Sequence, residues 1–473
     1  MKWRSCTLVS AGLICAALVG CGVGTPYQRP DIVPPHEWRE AAREPSSTVN
    51  PDAAPAAVWP AADWWHGFGS ARLDELIGEA ERSNDDLAGA ISRVQEADAQ
   101  LRIAGAPLLP SLDLAGTATR ERANSTGSGF SLSNAFNSEL TATYVLDFWG
   151  KNRAQRDAAL AAAVASRYDQ QTVALTVISS VASTYFQALE LRDRIQVAQH
   201  NLDNGETILR GFLLEQSAGT ATGLDVAQQE TAVALLYAAI PPLLQQFRQT
   251  VYALAVLIGK TPESIDVDSG SLTELSTPAV IAGLPSQLLS RRPDVAQAEQ
   301  QLVAANADIA MARAALFPTI ELTASGGYAS GVLSSLVSPA NRIYAVSAGL
   351  TQPIFHGGAL RGQLAYSKAR YTELLTSYHK TVLTAFSNVE DALVAVRQTD
   401  DQQRRQREAV AKAQRAYEFA QAQMSAGTVN ILTVLNTENA LFSAQDTLVQ
   451  VEYSHLQALV DLFTALGGGW HQG

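Results

Sequence analysis

The sequence predicts an internally duplicated protein of mixed α and β class, in which very long helices follow pairs of short strands. Two stretches, Ala359–Met424 and Lys151–Gln216, contain no proline, and apolar residues recur along the first of them at steps of three or four. Each stretch would form a helix roughly 100 Å long at about 1.5 Å per residue. The string Ser217-Ala-Gly-Thr recurs unchanged at Ser425, 208 residues later. These observations predict one helix–strand–strand–long helix–helix unit that is used twice.

Composition argues against nucleic-acid binding and against a membrane-spanning helix after residue 20. The 473 residues are 47% hydrophobic and carry a formal net charge of −12. An acidic chain without a basic patch is poorly suited to a phosphate backbone, so we expect no nucleic-acid partner. We find no run of about 18 apolar residues beyond residue 20, so we expect no membrane-spanning helix after that point.

Residues 1–20 have the features of a signal peptide, with two basic residues before an apolar run that is too short to span a membrane. The run ends in Leu18-Val-Gly-Cys21, which resembles a bacterial lipobox. We therefore predict acylation of Cys21 and anchoring in outer-membrane lipid. The alternative is an ordinary signal peptide with an incidental cysteine. The other cysteines, Cys6 and Cys15, lie in the removed segment, so no disulfide within the chain is expected.

Residues 21–71 form a predicted N-terminal tether, which is rich in proline and small residues and ends near the pair Trp64-Trp65. We interpret the tryptophans as packing anchors. The first repeat, 72–262, begins with a helix predicted from Arg72 to about Ala106. Strands are predicted from Ser111 and over Leu140–Phe148, with a polar loop at 120–135. The returning helix runs from about 224 to 258, and its Pro241-Pro242 pair is expected to kink or divide it.

A linker, 263–290, leads to the second repeat, 291–467, and residues 468–473 form a tail. Here a helix is predicted at 295–316, strands from Pro318 and over 343–354, a loop at 326–340 and a returning helix from about 431 to 466. Arg291-Arg292-Pro293-Asp294 is interpreted as a helix start at which Asp294 caps and the arginines hold the linker. The alternative is an anion site.

Strands of about ten residues, roughly 33 Å each, can cross a bilayer when they are tilted. From the residue pattern alone, a small soluble sheet that caps the helices is an equal alternative to strands that span the membrane. The lipobox favours the membrane-spanning strands. Lipid permits no open sheet edge, and about eight strands make the smallest usual barrel. Four spanning strands would therefore require several copies of the chain to share one barrel.

Several motifs together resemble those of the TolC-type outer-membrane factor family, in its NodT-like lipoprotein branch. The resemblance covers nearly the whole sequence. Besides the repeated Ser-Ala-Gly-Thr tips, its marks are Leu18-Val-Gly-Cys21, Trp64-Trp65-x-x-Phe68, Leu289-Ser-Arg-Arg-Pro-Asp-Val295 and Gln352-Pro-Ile-Phe355.

The resemblance implies a TolC-like fold with mixed α and transmembrane β structure. A homotrimer would combine three sets of four strands into a 12-stranded outer-membrane barrel, and the long helices would form an α-helical barrel across the periplasm. Residues 22–70, the linker 260–290 and the C-terminus would form an equatorial belt. The implied function is the exit duct of a tripartite efflux system. It would carry drugs or other small solutes from a proton-driven inner-membrane pump, through a periplasmic adaptor, out of the cell.

In such ducts the two hairpin tips, here 217–224 and 425–432, meet the adaptor. Gly219 and Gly427 permit the tight turns, and Thr220 and Thr428 beside them are expected to contact the adaptor.

Helices just beyond the tips constrict the pore in relatives, several of which carry acidic residues there. The matching positions here, Thr433 and Asn436, are neutral, which argues against a strongly cation-binding ring. Asp225 and Glu438 are the nearest acids. We hypothesise that Asp225, Thr433 and Asn436 line the closed aperture. The alternative is that these residues are only helix caps and surface polar groups.

Catalytic patterns are missing from the sequence, so we predict that the chain is not an enzyme and uses no cofactor. Gly259-Lys260-Thr261 resembles the end of a phosphate loop, but Leu254 stands where the upstream glycine is required. The seven histidines show no metal-ligand spacing. Two alternatives to an efflux duct stay open, a conduit for protein or peptide secretion and a structural lipoprotein tether that conducts nothing. The strand pairs before both long helices argue against the tether.

Overall fold

The computed structural model describes residues 23–40, 62–125, 129–278, 280 and 285–468. Within these ranges the predicted order of elements occurs twice. The first repeat contains α1 (Ala71–Ser83), α2 (Asp85–Gly105), β1 (Ser111–Ser125), β2 (Gly129–Leu146), α3 (Lys151–Ser217) and α4 (Gly223–Leu257). The second contains α5 (Pro285–Arg291), α6 (Pro293–Ala314), β3 (Thr319–Ser330), β4 (Arg342–Thr351), α7 (Ala359–Ser425) and α8 (Ile431–Ala465).

Contacts divide the chain into two compact units, and each unit draws on both repeats. Unit 1 contains the described residues within 1–31, 93–167 and 297–380. Unit 2 contains those within 32–92, 168–296 and 381–473.

Unit 1 carries a four-stranded antiparallel sheet in the order β1-β2-β3-β4. Its register places Leu114 opposite Leu140, Leu140 opposite Gly326, and Gly326 opposite Tyr344. The helical part of this unit buries mainly small side chains, which allow helix backbones to approach closely. They include Ala104, Ala154, Ala161, Ala163, Ala165, Ala305 and Ala312, together with Leu302 and Tyr378.

Unit 2 has the larger apolar core. Trp64 and Phe68 in a short 3-10 turn pack against α1, the middle of α3 and the ends of α4 and α8. Trp64 stacks on Phe463 with ring centroids 4.9 Å apart, and Phe68 contacts Phe186 edge-on at 5.0 Å. The interpretation of the tryptophan pair as packing anchors is therefore confirmed.

The two long helices are confirmed, and each is 67 residues long. One described helix, α3, is long and apolar enough to cross a membrane by length and composition alone. Its apolar residues are interspersed with polar and small ones, so the sequence contains no unbroken apolar run there. Half of its most apolar stretch is buried in the protein. Val181, Phe186 and Leu189 of this helix are fully enclosed in the core of unit 2, which accounts for such hydropathy without lipid.

The helix predicted over Arg72–Ala106 is instead two helices, separated at Asn84. This residue has extended backbone (ψ 127°), and its side chain replaces the missing helical contacts. The Oδ1 atom accepts from Leu87 N at 2.9 Å, and Nδ2 donates to Leu257 O at 2.8 Å. An asparagine that caps a helix start looks, in sequence, like any polar residue on an amphipathic helix.

The loop predicted at 120–135 is largely strand in its described part, whereas only the first five residues of the loop predicted at 326–340 are strand. Thr119 pairs with Ala135 and Ala123 with Ser131, so the β1–β2 hairpin continues well beyond the predicted ends. Likewise, Gly326 and Tyr328 belong to β3. The glycine and serine residues of these segments suggested loops. On a sheet whose two faces are both exposed, however, small and polar residues are tolerated in strands.

The proline pair neither divides α4 nor ends it, because the helix continues from Gly223 to Leu257. Pro241 and Pro242 are both exposed, so the backbone carbonyls that lose their donors lie on the exposed side of the helix.

A helix does begin at this motif, as interpreted, but Asp294 is the second residue of α6 rather than its cap. Its carboxylate accepts from Val295 N at 2.9 Å and pairs with Arg292 at 2.6 Å. Arg292 also donates to Ala465 O at 3.1 Å, so this arginine is engaged by the protein rather than offered to an anion.

Candidate functional site

The sheet of unit 1 has two chemically different faces. Side chains alternate along each strand, and the register keeps the even-numbered residues of all four strands on one face. That face carries exposed apolar side chains, among them Leu114 at 74% exposure, Tyr344 at 89% and Val346 at 82%. A folded protein in water rarely leaves such a surface uncovered. The register thus shows that apolar and polar residues alternate along the strands, an alternation that was weak in the sequence alone.

The odd-numbered face is polar and acidic. It presents Asp113, Glu139 and Glu321, together with several threonines and serines. The arginines of the described strand residues, Arg120, Arg122 and Arg342, lie on the even-numbered face toward the hairpin ends. A water-filled passage suits the polar face, and a hydrocarbon environment suits the apolar one.

Both outer edges of the sheet are open within the described chain. β1 pairs only with β2, and β4 pairs only with β3. The backbone N–H and C=O groups along those edges therefore still need partners, which hydrocarbon cannot supply.

Cys21, the predicted lipidation site, lies outside the described residues. The residues that follow it are held firmly on α6. Arg313 donates to Val23 O at 2.9 Å, and Asn306 donates to Thr25 O at 3.0 Å. A Cβ at Gly24 would lie 2.7 Å from Ala310 Cβ, so only glycine permits this approach. The described start of the tether therefore lies against α6.

A second part of the tether docks within unit 2. Glu390 of α7 accepts from Arg39 N at 2.7 Å and from Glu40 N at 3.2 Å. Arg397, farther along α7, pairs with the Glu40 carboxylate. Trp38 packs against Phe386 with ring centroids 6.1 Å apart. This clamp was not predicted, because its partners are about 350 residues apart in the chain and follow no local pattern.

Within the two hairpin tips, residues 217–222 and 425–430 form nearly the same hydrogen bonds. Gly219 has φ +82° and Gly427 φ +71°. At the first tip, Thr220 N and Oγ1 donate to Glu215 O at 2.9 and 3.0 Å. At the second, Thr428 N and Oγ1 donate to Gln423 O at 2.9 Å each. Both glycines thus make the turns predicted for them, and both threonines are exposed.

The caps that follow the tips also correspond, with different residues. Thr222 begins α4 in a capping box: Asp225 N donates to Thr222 Oγ1, and Thr222 N donates to Asp225 Oδ2 at 2.9 Å. Asn430 begins α8, and its Oδ1 accepts from Thr433 N at 3.3 Å. The bonds from Thr222 hold the pKa of Asp225 below its usual value.

Of the three residues hypothesised to line an aperture, Asp225 and Thr433 therefore take part in helix caps. Asn436 is exposed on α8, one turn beyond Thr433. Capping leaves part of each side chain accessible, so it is compatible with a position on a pore wall.

Two apolar clusters join the helices near the tips. One contains Phe212 of α3, Val226 of α4, and Ile431 and Leu435 of α8. The other contains Tyr417 and Ala420 of α7, with Val434 and Leu441 of α8. Because the first cluster combines residues of both hairpins, the two hairpins share one core.

One ionisable residue is enclosed beside the second cluster. Glu438 is 7% exposed, and its Oε1 atom has neither solvent contact nor a hydrogen-bond partner. Burial raises the pKa of Glu438 to about 7. The residue 208 positions earlier, Glu230, is exposed. In sequence the two glutamates look equivalent, so nothing there distinguished them.

Metal chemistry has no evident place in the described part of the chain, where no three His, Cys, Asp or Glu residues cluster in a way that could hold an ion.

Comparison with known proteins agrees with this architecture. The sequence pattern of the outer membrane efflux protein family matches residues 76–260 and 284–468. The pyoverdine export outer membrane protein OpmQ of Pseudomonas aeruginosa is 40% identical over 99% of this chain and 98% of its own length. The cation efflux system protein CusC of Escherichia coli is 31% identical over 97% and 98%. The solved outer-membrane channel OprN superposes with a TM-score of 0.87 at 26% identity, over 95% of this chain and all of that one.

These similarities confirm the predicted TolC-type fold, the outer-membrane location and the function as the outer-membrane channel of an efflux system. The two matched segments also confirm the duplication, because their starts, 76 and 284, and their ends, 260 and 468, are equally far apart. Proteins with this pattern are channels rather than enzymes. The chain belongs to the outer membrane efflux protein family.

Proposed function

We propose that the protein is a homotrimeric exit duct that receives solutes from an inner-membrane pump through a periplasmic adaptor. The observation that carries this proposal is the sheet of unit 1, with one apolar face, one polar face and two open edges. Three copies would pair β4 of one chain with β1 of the next, giving a closed wall of twelve strands. The apolar face would then meet lipid, and the acidic face would line the passage.

The anchor and the adaptor contacts complete the proposal. Acylation of Cys21 would fix the chain to outer-membrane lipid, and the contacts of Arg313 and Asn306 with residues 23–25 would hold the anchored segment on α6. Exposed residues at the two tips, Gly219, Thr220, Gly427 and Thr428, would contact the adaptor. Asp225, Thr433 and Asn436 would line the closed aperture.

The cargo we favour is a siderophore of the pyoverdine class. OpmQ, a pyoverdine export protein, is more similar to this chain, at 40% identity, than the cation exporter CusC at 31%. Deleting the gene should leave siderophore inside the cell, and restoring it should return siderophore to the medium. Unchanged secretion in the deletion strain would direct attention to drugs or metal ions as cargo.

Two lysine substitutions test the barrel. Leu114 lies on the apolar face and Thr117 on the polar face of the same strand. Leu114→Lys should weaken membrane insertion by about 2–4 kcal/mol, because a lysine would face hydrocarbon. Thr117→Lys should insert normally and reduce cation preference, because the added charge would lie in the passage. Trimer mass in detergent and conductance in planar bilayers measure both effects.

Equal tolerance of the two substitutions would contradict the proposed wall and favour a soluble sheet. A monomer that conducts nothing would favour the structural tether.

A further inference from the structure

The second hairpin encloses a carboxyl group that no other group in the described chain stabilises. Glu438 lies on α8, seven residues after the helix begins at Ile431. Only 7% of the residue is exposed, and Oε1 lacks a hydrogen-bond partner. A buried polar atom without a partner costs free energy, and an ionised one costs far more. The site therefore accepts the neutral acid and disfavours the carboxylate.

The surroundings of Glu438 are apolar. Val434 precedes it by one turn and Leu441 follows by almost one turn, so all three lie on the same face of α8. That face packs on Tyr417 and Ala420 of α7, with Ile208 of α3 at the edge. The facing titratable group is Tyr417, whose pKa is raised to about 12 by burial and by the Glu438 carboxylate. No charged group of α3 or α7 contributes to the raised pKa of Glu438, for which burial is the sole cause.

The enclosed carboxyl is close in sequence to the proposed aperture. Thr433 and Asn436 lie on the same two turns of α8, and Asn430 caps that segment. Oε1 of an ionised Glu438 would gain water if these turns rotated or separated from α7. Movement of Glu438 would therefore move both aperture residues.

The first hairpin lacks this feature. Glu230 occupies the equivalent repeat position on α4 and is exposed. The buried polar residue there is Gln229, which cannot ionise and donates to Gly205 O at 2.9 Å. The first hairpin therefore serves as an internal control for the titration of Glu438 in the second hairpin.

We propose that the second hairpin is a proton-sensitive gate, in which neutral Glu438 holds the start of α8 against α7 and loss of its proton releases the turns that carry Thr433 and Asn436. The gating role rests on the proposed function, whereas the release of α8 does not. The packed state binds the proton more tightly than the released state. Release is therefore least favourable at low pH and becomes more favourable as pH rises.

The pH window follows from the two states. The pKa of a freely solvated glutamate is 4.5, and burial raises that of Glu438 to about 7. The released-to-packed ratio should rise between these values by at most about tenfold per pH unit. Above about pH 7 both states are ionised, so the ratio should level off.

Hydrogen exchange of the purified full-length protein measures the release directly. Protection factors, corrected for the intrinsic pH dependence of exchange, should fall for amides 431–441 as pH rises from 5 to 7 and stay constant to 8. Amides 223–233 of the first hairpin should show no such step. In planar bilayers, open probability should rise over the same window.

Three variants make the test decisive. Glu438→Gln keeps the shape of the neutral acid and should remove the step in both measurements. Glu438→Leu should do the same, which guards against a local defect from the added amide. Glu230→Gln is the matched control and should keep the step. A step that persists in Glu438→Gln, or native protein without one, overturns the gate. Absence of conductance in every variant, with the exchange step intact, would instead count against the channel function.

Discussion

The first and second hairpins have the same turn but different interiors. Their tips share positive-φ glycines and the same threonine hydrogen bonds, 208 residues apart. Below the tips the buried stripe of each returning helix differs. On α4 it includes Val226, Gln229 and Val233, whereas on α8 it includes Val434, Glu438 and Leu441.

This difference follows from helix geometry. The outer residues of the two stripes correspond between repeats, since both Val226 and Val434 and both Val233 and Leu441 are buried. Between these outer residues, α4 buries Gln229, three residues after Val226, whereas α8 buries Glu438, four residues after Val434. A shift of one residue corresponds to about 100° around the helix axis. A small change in the buried face has exchanged a neutral amide for an acid. Duplication has thus preserved the turn and allowed the packing below it to diverge.

The second difference between the hairpins is the size of one buried side chain, and truncating that side chain has the largest expected effect. Phe212 is buried near the first tip, and its repeat equivalent is Ala420. Phe212→Ala should destabilise the region by about 3–5 kcal/mol, because it empties the cluster formed with Val226 and Ile431. Since that cluster joins α4 and α8, protection from hydrogen exchange should fall in both hairpins.

Leu214 provides the control for Phe212. It lies on the same turn of α3 and is 71% exposed, so Leu214→Ala should change stability by no more than about 0.5 kcal/mol. Loss of protection in α4 alone would show that the hairpins are independent and would contradict the shared core.

The turn glycines should behave alike, because their geometry is alike. Gly219→Ala and Gly427→Ala should each cost about 1–2 kcal/mol, since a Cβ disfavours the left-handed conformation at φ +82° and +71°. Neither site has a heavy atom within 4 Å of an added Cβ, so the cost is conformational rather than steric.

Gly211→Ala is the matched control for the turn glycines. It also meets nothing within 4 Å but lies inside α3, so alanine should stabilise the helix by about 0.5–1 kcal/mol. Local exchange protection at each tip measures all three variants. Unequal costs at Gly219 and Gly427 would show that one tip is held by contacts outside the turn.

Features that depend on local pattern were predictable, and features that depend on register or on distant partners were not. The bounds of α3 and α7 followed from long proline-free stretches, with apolar periodicity along α7, and the glycine turns followed from the repeated string. The faces of the sheet became evident only when pairing aligned Leu114 with Leu140 and Gly326. Likewise, burial of Glu438 depends on α7, and the clamp on Glu40 depends on residues about 350 positions away.

The helix caps give the smallest expected difference between the hairpins and should separate them by pH. Thr222→Ala and Asn430→Ala should each cost about 1 kcal/mol, because each removes the acceptor for a backbone N–H at a helix start.

The first cap also contains Asp225, whose pKa is lowered by its bonds to Thr222. A lowered pKa stabilises the folded state above the ordinary value of 3.8, and this contribution is lost as pH falls through the folded value. The second cap pairs Asn430 with Thr433 and contains no titrating group. Acidification below about pH 4 should therefore loosen the start of α4 more than that of α8, in native protein and not in Asp225→Asn. Equal loosening of both helix starts would show that the capping box adds nothing to the first tip.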